Sequence, residues 1–162
     1  MRHLALSLFI LGAAGPALAG SLATLTGTWQ GSVSCKSTQV GGNSGFKADV
    51  SLKINQLTPT TLEVSVLANK MTIGYSGTLV PSEAKAGTGA GALVSCGISD
   101  STEEGNSNSI ESFTYKVGLD GTGSLKLNGV TVQNSTEVDL CKGSFTRTNT
   151  GPVVTSPCEP PI

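Results

Sequence analysis

Apolar and polar residues alternate with a period of two along most of this chain. Between Leu25 and Lys36 the odd-numbered positions carry Leu, Gly, Trp, Gly, Val and Cys, whereas the even-numbered positions carry Thr, Gln, Ser and Lys. Between Phe46 and Asn55, Phe, Ala, Val, Leu and Ile alternate in the same way with mostly polar residues. This spacing is typical of β-strands with one buried and one solvated face, and helical spacing is almost absent. The pattern predicts an all-β protein.

Six further segments repeat this alternation, and stretches rich in Gly, Pro, Asn, Asp and Ser separate them. These segments are 61–68, 71–79, 90–98, 111–119, 123–132 and 139–148. In the segment 111–119 the alternation predicts that Phe113, Tyr115, Val117 and Leu119 point inward. About eight strands at hairpin spacing predict a single antiparallel up-and-down β-barrel, and a two-sheet β-sandwich is the alternative with the same pattern. Asn128-Gly129 is interpreted as a tight turn or a bulge.

The first and last predicted strands have complementary residues at matching spacings. If these strands pair antiparallel, residue numbers at paired positions have a constant sum. The residue numbers of Trp29 and Arg147 add up to the same value as those of Cys35 and Cys141. A single register of the two strands therefore places Trp29 opposite Arg147 and Cys35 opposite Cys141. The register predicts a Cys35–Cys141 disulfide and leaves Cys96 for Cys158, with the two other pairings still open. No C-x-x-C spacing suggests a zinc or redox site.

The N-terminal segment resembles an export signal in its physical properties. Arg2 provides a positive start, residues 4–14 are apolar but too short to span a bilayer, and the small residues 17–19 suit a signal peptidase. We therefore predict a signal peptide over 1–19 and a protein exported to the periplasm or the extracellular medium. A barrel domain over 20–150 and a Pro-rich tail over 151–162, tied by Cys158, would follow.

Composition excludes several classes of function. Of ten basic residues, removal of Arg2 leaves nine against eleven acidic ones, and the only histidine, His3, lies in the predicted signal. This charge balance gives no reason to expect a nucleic acid or an anionic membrane as a partner. The predicted mature chain lacks the commonest general base, and the pattern assigns Asp49, Glu63 and Glu111 to outward positions rather than to one cleft. We therefore expect no enzymatic activity.

One polar loop has the spacing of a calcium-binding loop. In residues 100–111, oxygen-bearing side chains recur at alternate positions, and a glycine and a final glutamate complete the rhythm. The candidate ligands are Asp100, Glu104, Asn106 and Glu111. No helix is predicted on either side, so a polar hairpin loop is the simpler interpretation. No other cofactor is expected.

The sequence "GTW" at 27–29 and the Arg147 of "GSFTRT" resemble the first and last strands of lipocalin-like (calycin-type) barrels. In that family the first-strand Trp packs under the last-strand Arg, so the resemblance implies that Trp29 and Arg147 plug one end of the barrel. "LTGTW" is also similar to an avidin opening. Avidins need further tryptophans around biotin, and Trp29 is the only one here.

The resemblance implies a carrier of a small apolar molecule held inside the barrel. Tyr75, Tyr115 and Phe113 are the candidate ligand-binding residues, with the two hydroxyls as polar anchors. A secreted protein-binding module, such as a protease inhibitor that uses the arm 20–24 and the loops, is the first alternative. A structural or surface protein with a solid core is the second. The predicted partner is thus a small apolar molecule or an unidentified protein. We expect no membrane span in this chain.

Overall fold

Eight β-strands make up the computed structural model, which describes residues 24–37, 45–68, 71–96, 107–133 and 136–156. Within these ranges no helix is long and apolar enough to cross a membrane. The predicted signal peptide, most of the predicted calcium loop and Cys158 lie outside them. The strands are β1 (Gly27–Ser37), β2 (Gly45–Gln56), β3 (Thr61–Ala68), β4 (Met71–Pro81), β5 (Thr88–Ser95), β6 (Ser107–Val117), β7 (Gly123–Gln133) and β8 (Thr136–Asn149).

Each strand pairs antiparallel with the next, and β8 pairs back with β1 to close the sheet. This confirms the up-and-down barrel and excludes the two-sheet sandwich, because a sandwich would leave the β1–β8 edge unpaired. In the β1–β8 register Trp29 lies opposite Arg147 and Cys35 lies opposite Cys141. Closure therefore brings the first and the last strand together along one ladder.

The barrel has two ends that differ in composition. The Trp end contains Trp29 and the connections 57–60, 82–87 and 118–122. The Cys end, at the opposite ends of the strands, contains the disulfide between Cys35 and Cys141. The up-and-down topology places every second connection at the same end.

The interior holds one cluster of buried side chains that all eight strands supply. Its largest fully buried members are Trp29, Leu25, Leu52, Ile54, Leu62 and Val64. Two predicted core residues are instead exposed: Phe46 by 54 % and Leu119 by 97 %. Phe46 stands at the start of β2, on the rim of the Cys end, and Leu119 follows the end of β6 in a turn, where strand alternation no longer applies. Asn128-Gly129, predicted as a turn or a bulge, is neither, because it lies in the middle of β7 in regular register with β6 and β8.

The Cys35–Cys141 disulfide predicted from the register is present, with an S–S distance of 2.06 Å. It joins the two strands that close the barrel. Cys96 is disulfide-bonded as well. The predicted pairing of Cys96 with Cys158 involves a residue outside the described ranges, so it stays a prediction.

After β8 the chain crosses the outer face of β3. The backbone N–H of Ser156 donates to Oγ of Ser65 over 2.7 Å, and the hydroxyl of Thr155 donates to Oε2 of Glu63 over 2.8 Å. Ser65 alternates with the inward residues of β3 and therefore points outward, yet it is buried because this segment covers it. The outer surface of β3 is thus a packed contact at Glu63 and Ser65, whereas Leu67 on the same face is exposed.

Candidate functional site: the Cys-end half of the barrel interior

The Trp end is closed by side chains that contact one another in the core. Trp29 is 0 % exposed, and its indole Nε1 donates a hydrogen bond to the carbonyl of Leu25 over 3.0 Å. The guanidinium carbon of Arg147 lies 5.4 Å from the centroid of the Trp29 ring, within cation–π distance. Gly123 is required beside them, because a Cβ at this position would lie 2.6 Å from the indole.

Arg147 also fixes the segment that precedes β1. Its guanidinium donates to the carbonyl of Thr24 over 2.6 Å and to the carbonyl of Thr26. The backbone N–H of Leu25 donates to the side-chain oxygen of Gln56 over 2.9 Å, which ties the same segment to the end of β2. Burial lowers the pKa of Arg147. These contacts hold Leu25 beside Trp29, and both side chains are fully buried at this end of the interior.

The Cys-end half of the interior is less completely buried. Four inward-facing apolar side chains there are only partly buried while they pack against the core: Val33, Ala48, Val66 and Ile73. We call these four residues the apolar quartet. At the Trp end the corresponding positions, such as Leu52, Ile54 and Leu62, are fully buried. In the described part of the chain the interior is therefore tightly packed at the Trp end and less tightly packed at these four positions, although Cys35, Ser95 and Ser109 at the Cys end are buried.

Five polar side chains face the interior beside the apolar quartet, and we call them the polar cluster: Tyr75, Ser95, Ser109, Glu111 and Thr131. The hydroxyl of Tyr75 donates to Oε1 of Glu111 over 3.2 Å. The hydroxyls of Ser109 and Thr131 share a hydrogen bond of 3.0 Å, and the backbone N–H of Ser109 donates to Oγ of Ser95 over 2.8 Å. These bonds join strands β4, β5, β6 and β7 from the inside.

Glu111 is the least satisfied member of the polar cluster. Its Oε2 atom is buried and has no hydrogen-bond partner in the described part of the chain. Burial raises the pKa of this carboxyl above its ordinary value of 4.5, and the hydrogen bond from Tyr75 opposes that rise. A buried acceptor without a donor is unusual in folded proteins and requires an explanation.

The prediction that Glu111 points outward is wrong. Its cross-strand neighbours are Leu93 on β5 and Gly129 on β7, both of which face the interior. A Cβ at position 129 would lie 2.8 Å from Oε2, so the carboxyl group rests directly on the backbone of Gly129. The side chain fits inside the barrel because the facing residue is glycine.

The tyrosines are neutral donors at physiological pH. Burial raises the pKa of Tyr75 strongly, and the negative charge of Glu111 raises it further. Burial also raises the pKa of Tyr115. Of these two predicted anchors, Tyr75 contacts Glu111, whereas Tyr115 packs with Phe113 at a centroid distance of 6.3 Å. The structure therefore does not bring Tyr115 and Phe113 into the polar cluster.

The predicted calcium ligands are not brought together within the described ranges. Asp100, Glu104 and Asn106 lie outside these ranges, and Glu111 lies in β6 with its carboxyl on Tyr75. Among the described residues, no group of three His, Cys, Asp or Glu side chains could hold a metal ion. The calcium interpretation stays a prediction for the remaining residues of that segment.

Three members of the polar cluster, Ser95, Ser109 and Thr131, were not singled out from the sequence. Strict alternation from Phe113 backwards would have placed Glu111 and Ser109 inside, but a carboxylate and a hydroxyl are usually assigned to the solvated face. The contact between Glu111 and Gly129 joins two strands and has no signal in a single sequence. Cross-strand register is what reveals it.

An open groove of about 940 Å³ runs along the outer surface of β7, β8, β1 and β2. Its outward-facing lining includes Gln30, Ser32, Asp49, Lys126 and Thr146. These side chains are short or solvated and belong to the polar face of the sheet. The groove lacks the combination of apolar wall and buried carboxyl that distinguishes the Cys-end interior.

Comparisons with protein-family models, with curated proteins and with solved structures gave no match for this chain. The closed eight-stranded barrel is compatible with a lipocalin-like fold. The likeness to that family therefore rests on the architecture and on the pairing of Trp29 with Arg147.

Proposed function

We propose that this protein is an exported, disulfide-stapled β-barrel that binds a small, largely apolar molecule in the Cys-end half of its interior. The observation that carries this proposal is the unequal burial of the inward-facing residues. The Trp end is packed and closed, whereas the apolar quartet at the other end stays partly accessible beside buried polar groups. Apolar side chains with a few polar groups that converge on them are typical of small-molecule sites.

The two parts of the site would have different roles in binding. The apolar quartet would gain about 25 cal/mol for each Å² of apolar surface that the ligand removes from water. Tyr75 and Glu111 would fix the orientation of the ligand through hydrogen bonds. Trp29 and its neighbours would form a rigid floor, so that the ligand enters from the Cys end. The proposed role is binding without catalysis, since the predicted mature chain has no histidine.

Export is supported by the disulfide chemistry. Structural disulfides persist in oxidising compartments such as the periplasm or the extracellular medium and are rare in reducing cytosol. The Cys35–Cys141 bond and the disulfide at Cys96 fit such a compartment. We therefore retain the predicted signal peptide over residues 1–19 as part of the proposal.

The proposal is tested with N-phenyl-1-naphthylamine, a neutral apolar dye whose fluorescence rises on transfer out of water. The dye should bind the wild-type protein, and Ala48→Trp should block this binding because the indole replaces a small member of the apolar quartet and fills the interior there. The matched control is Ala92→Trp, because Ala92 is exposed on the outer face of β5. Absence of dye binding by the wild-type protein, or equal effects of both variants, would contradict an interior site.

A second candidate function is that of a protein-binding module, and an exposed row of apolar residues favours it. Val94, Ile110, Val130 and Leu140 are cross-strand neighbours on the outer face of four adjacent strands. Val94, Ile110 and Leu140 are exposed by 47 %, 56 % and 44 %. Contiguous exposed apolar surface often marks a contact with another protein. Ile110→Ser should abolish such a contact and leave dye binding unchanged, which separates the two candidates.

A further inference from the structure

We infer that the polar group of the ligand is a protonated amine and that Glu111 binds it. This inference rests on the proposed function and names the chemical class of the ligand: a primary amine on a small hydrocarbon body. The charges and hydrogen-bonding groups that face the Cys-end interior favour this class of ligand.

The inward-facing side chains at this end offer acceptors and negative charge. Glu111 and Asp139 are acidic, and Asp139 pairs with Thr131 of the polar cluster across β7 and β8. No lysine or arginine occupies an inward position at this end among the described residues. Lys36 and Lys142, which lie at this end of β1 and β8, occupy the alternate, outward positions and are exposed. A cation inside the barrel would thus meet complementary charge.

The carboxyl group of Glu111 has one hydrogen-bonded oxygen and one oxygen without a partner in the described part of the chain. Oε1 accepts the hydrogen bond from Tyr75, and Oε2 is buried without a partner in the described part of the chain. An ionised carboxylate away from water is costly unless a charged donor pairs with it. An ammonium group provides both the compensating charge and three N–H donors. A hydroxyl provides one donor without charge, and a carboxylate ligand would be repelled.

The surroundings of Glu111 can satisfy the rest of such a ligand. The hydroxyls of Ser109 and Thr131 hydrogen-bond to each other nearby and have lone pairs for further N–H groups. The apolar quartet lines the same end of the interior and suits a hydrocarbon chain. Glu111 as a whole is only partly buried, and binding of the amine requires its carboxyl to rotate away from Gly129 so that Oε2 meets the ligand.

The test compares three probes of equal chain length by isothermal titration calorimetry at pH 7 with the full, disulfide-bonded protein. The probes are n-octylamine, octan-1-ol and octanoate. We expect n-octylamine to bind more tightly than the other two. Glu111→Gln should weaken the binding of n-octylamine by about 10-fold or more, because a hydrogen bond to a charged group contributes at least this factor to affinity. Asp49→Asn removes the same charge from the outer face and should change affinity by less than about twofold.

Glu111→Asp serves as a second variant, because it keeps the charge and should retain the preference for the amine over the alcohol. Equal affinity for octan-1-ol and n-octylamine, or an unchanged amine affinity in Glu111→Gln, would overturn the amine inference and leave the interior site standing. If none of the three probes and no N-phenyl-1-naphthylamine binds, the proposed function itself fails. The preference for an amine and the interior binding site are therefore contradicted by different results.

Discussion

The hydroxyl of Tyr75 lies 3.2 Å from Oε1 of Glu111, inside the barrel and near its Cys end. At the other end, Arg147 covers the ring of Trp29 and anchors the segment before β1. The Trp29–Arg147 pair lies in the tightly packed half of the interior and the Tyr75–Glu111 pair in the less tightly packed half, and each pair contains one buried polar atom without a partner in the described part of the chain. This division is the basis of the proposed binding function and of the predictions that follow.

Replacement of Glu111 by Gln should stabilise the protein at alkaline pH and remove part of its pH dependence. Because the folded-state pKa of Glu111 lies above its ordinary value of 4.5, the native state holds this proton more tightly than the unfolded state. The contribution of Glu111 to stability is therefore complete below pH 4.5 and is lost as pH rises through the folded-state pKa. At pH 8 the variant should be more stable by about 1–3 kcal/mol.

The measurement for Glu111→Gln is urea unfolding of both proteins at a series of pH values from 4 to 8. Asp49→Asn, a change at an exposed position on β2, is the control for the loss of one negative charge. If the difference in unfolding free energy between the wild type and Glu111→Gln does not change with pH, the pKa of Glu111 is not raised by folding. An equal pH trend in Asp49→Asn would contradict the prediction as well.

Tyr75→Phe should raise the pKa of Glu111 further, since it removes the hydrogen bond that opposes the effect of burial. We expect a loss of about 1–2 kcal/mol at neutral pH, because Oε1 then also lacks its donor. A double-mutant cycle with Glu111→Gln should give a coupling energy of about 0.5–3 kcal/mol. Additive effects in thermal or urea unfolding would show that the two side chains do not interact in solution.

Trp29→Ala should lower the free energy of unfolding by about 3–5 kcal/mol, the usual cost of deleting a buried aromatic side chain. The variant loses the core contacts of the ring, its hydrogen bond to Leu25 and the cation–π contact with Arg147. Phe46→Ala is the matched control, because this aromatic ring is mostly exposed and should cost less than about 1 kcal/mol. A Trp29→Ala effect as small as that of the control would exclude a structural role for the indole.

Removal of the Cys35–Cys141 disulfide by the double substitution Cys35→Ala and Cys141→Ala should destabilise the protein by about 5 kcal/mol in the chain-entropy model. The bond connects residues 106 positions apart, so it restricts a long loop of the unfolded chain. Urea unfolding of the oxidised variant, which keeps the disulfide at Cys96, measures the effect. A loss of unfolding free energy below about 1 kcal/mol would mean that the disulfide does not stabilise the protein by restricting its unfolded chain.

Gly129→Ala should displace the carboxyl group of Glu111, because the added Cβ would lie 2.8 Å from Oε2. Overpacking of this kind costs about 1–3 kcal/mol. In a Glu111→Ala background the same substitution should cost much less, since the clashing group is gone. Equal losses of unfolding free energy in both backgrounds would show that Glu111 does not rest on Gly129.

The sequence predicted the fold because alternation and pairing both leave local traces. The period-two pattern marks the strands, and the shared spacing of Trp29 with Arg147 and of Cys35 with Cys141 reflects the β1–β8 ladder. Alternation failed at Phe46 and Leu119, where a strand begins or has ended and neighbouring strands no longer cover the side chain. Pattern alone does not indicate where a strand leaves the barrel wall.

The site was harder to predict than the fold because it depends on contacts between strands. Glu111 was assigned to solvent on chemical grounds, although its position in β6 has the same parity as Phe113. Asn128-Gly129 resembles a turn signal, yet Gly129 lies within β7, where it makes room for the carboxyl group. A buried carboxyl that depends on a facing glycine and a donor from β4 becomes visible only once the register of β4, β5, β6 and β7 is known.

The most direct test of the binding function is native mass spectrometry of the protein purified from the exported fraction of its own host. We predict a bound small molecule whose mass disappears on denaturation, together with a chain whose mass is reduced by two disulfides. A ligand with a basic nitrogen would identify the class that Glu111 is proposed to bind. A bare chain under native conditions, with both disulfides intact, would contradict the binding function and favour the exposed apolar row as the working surface.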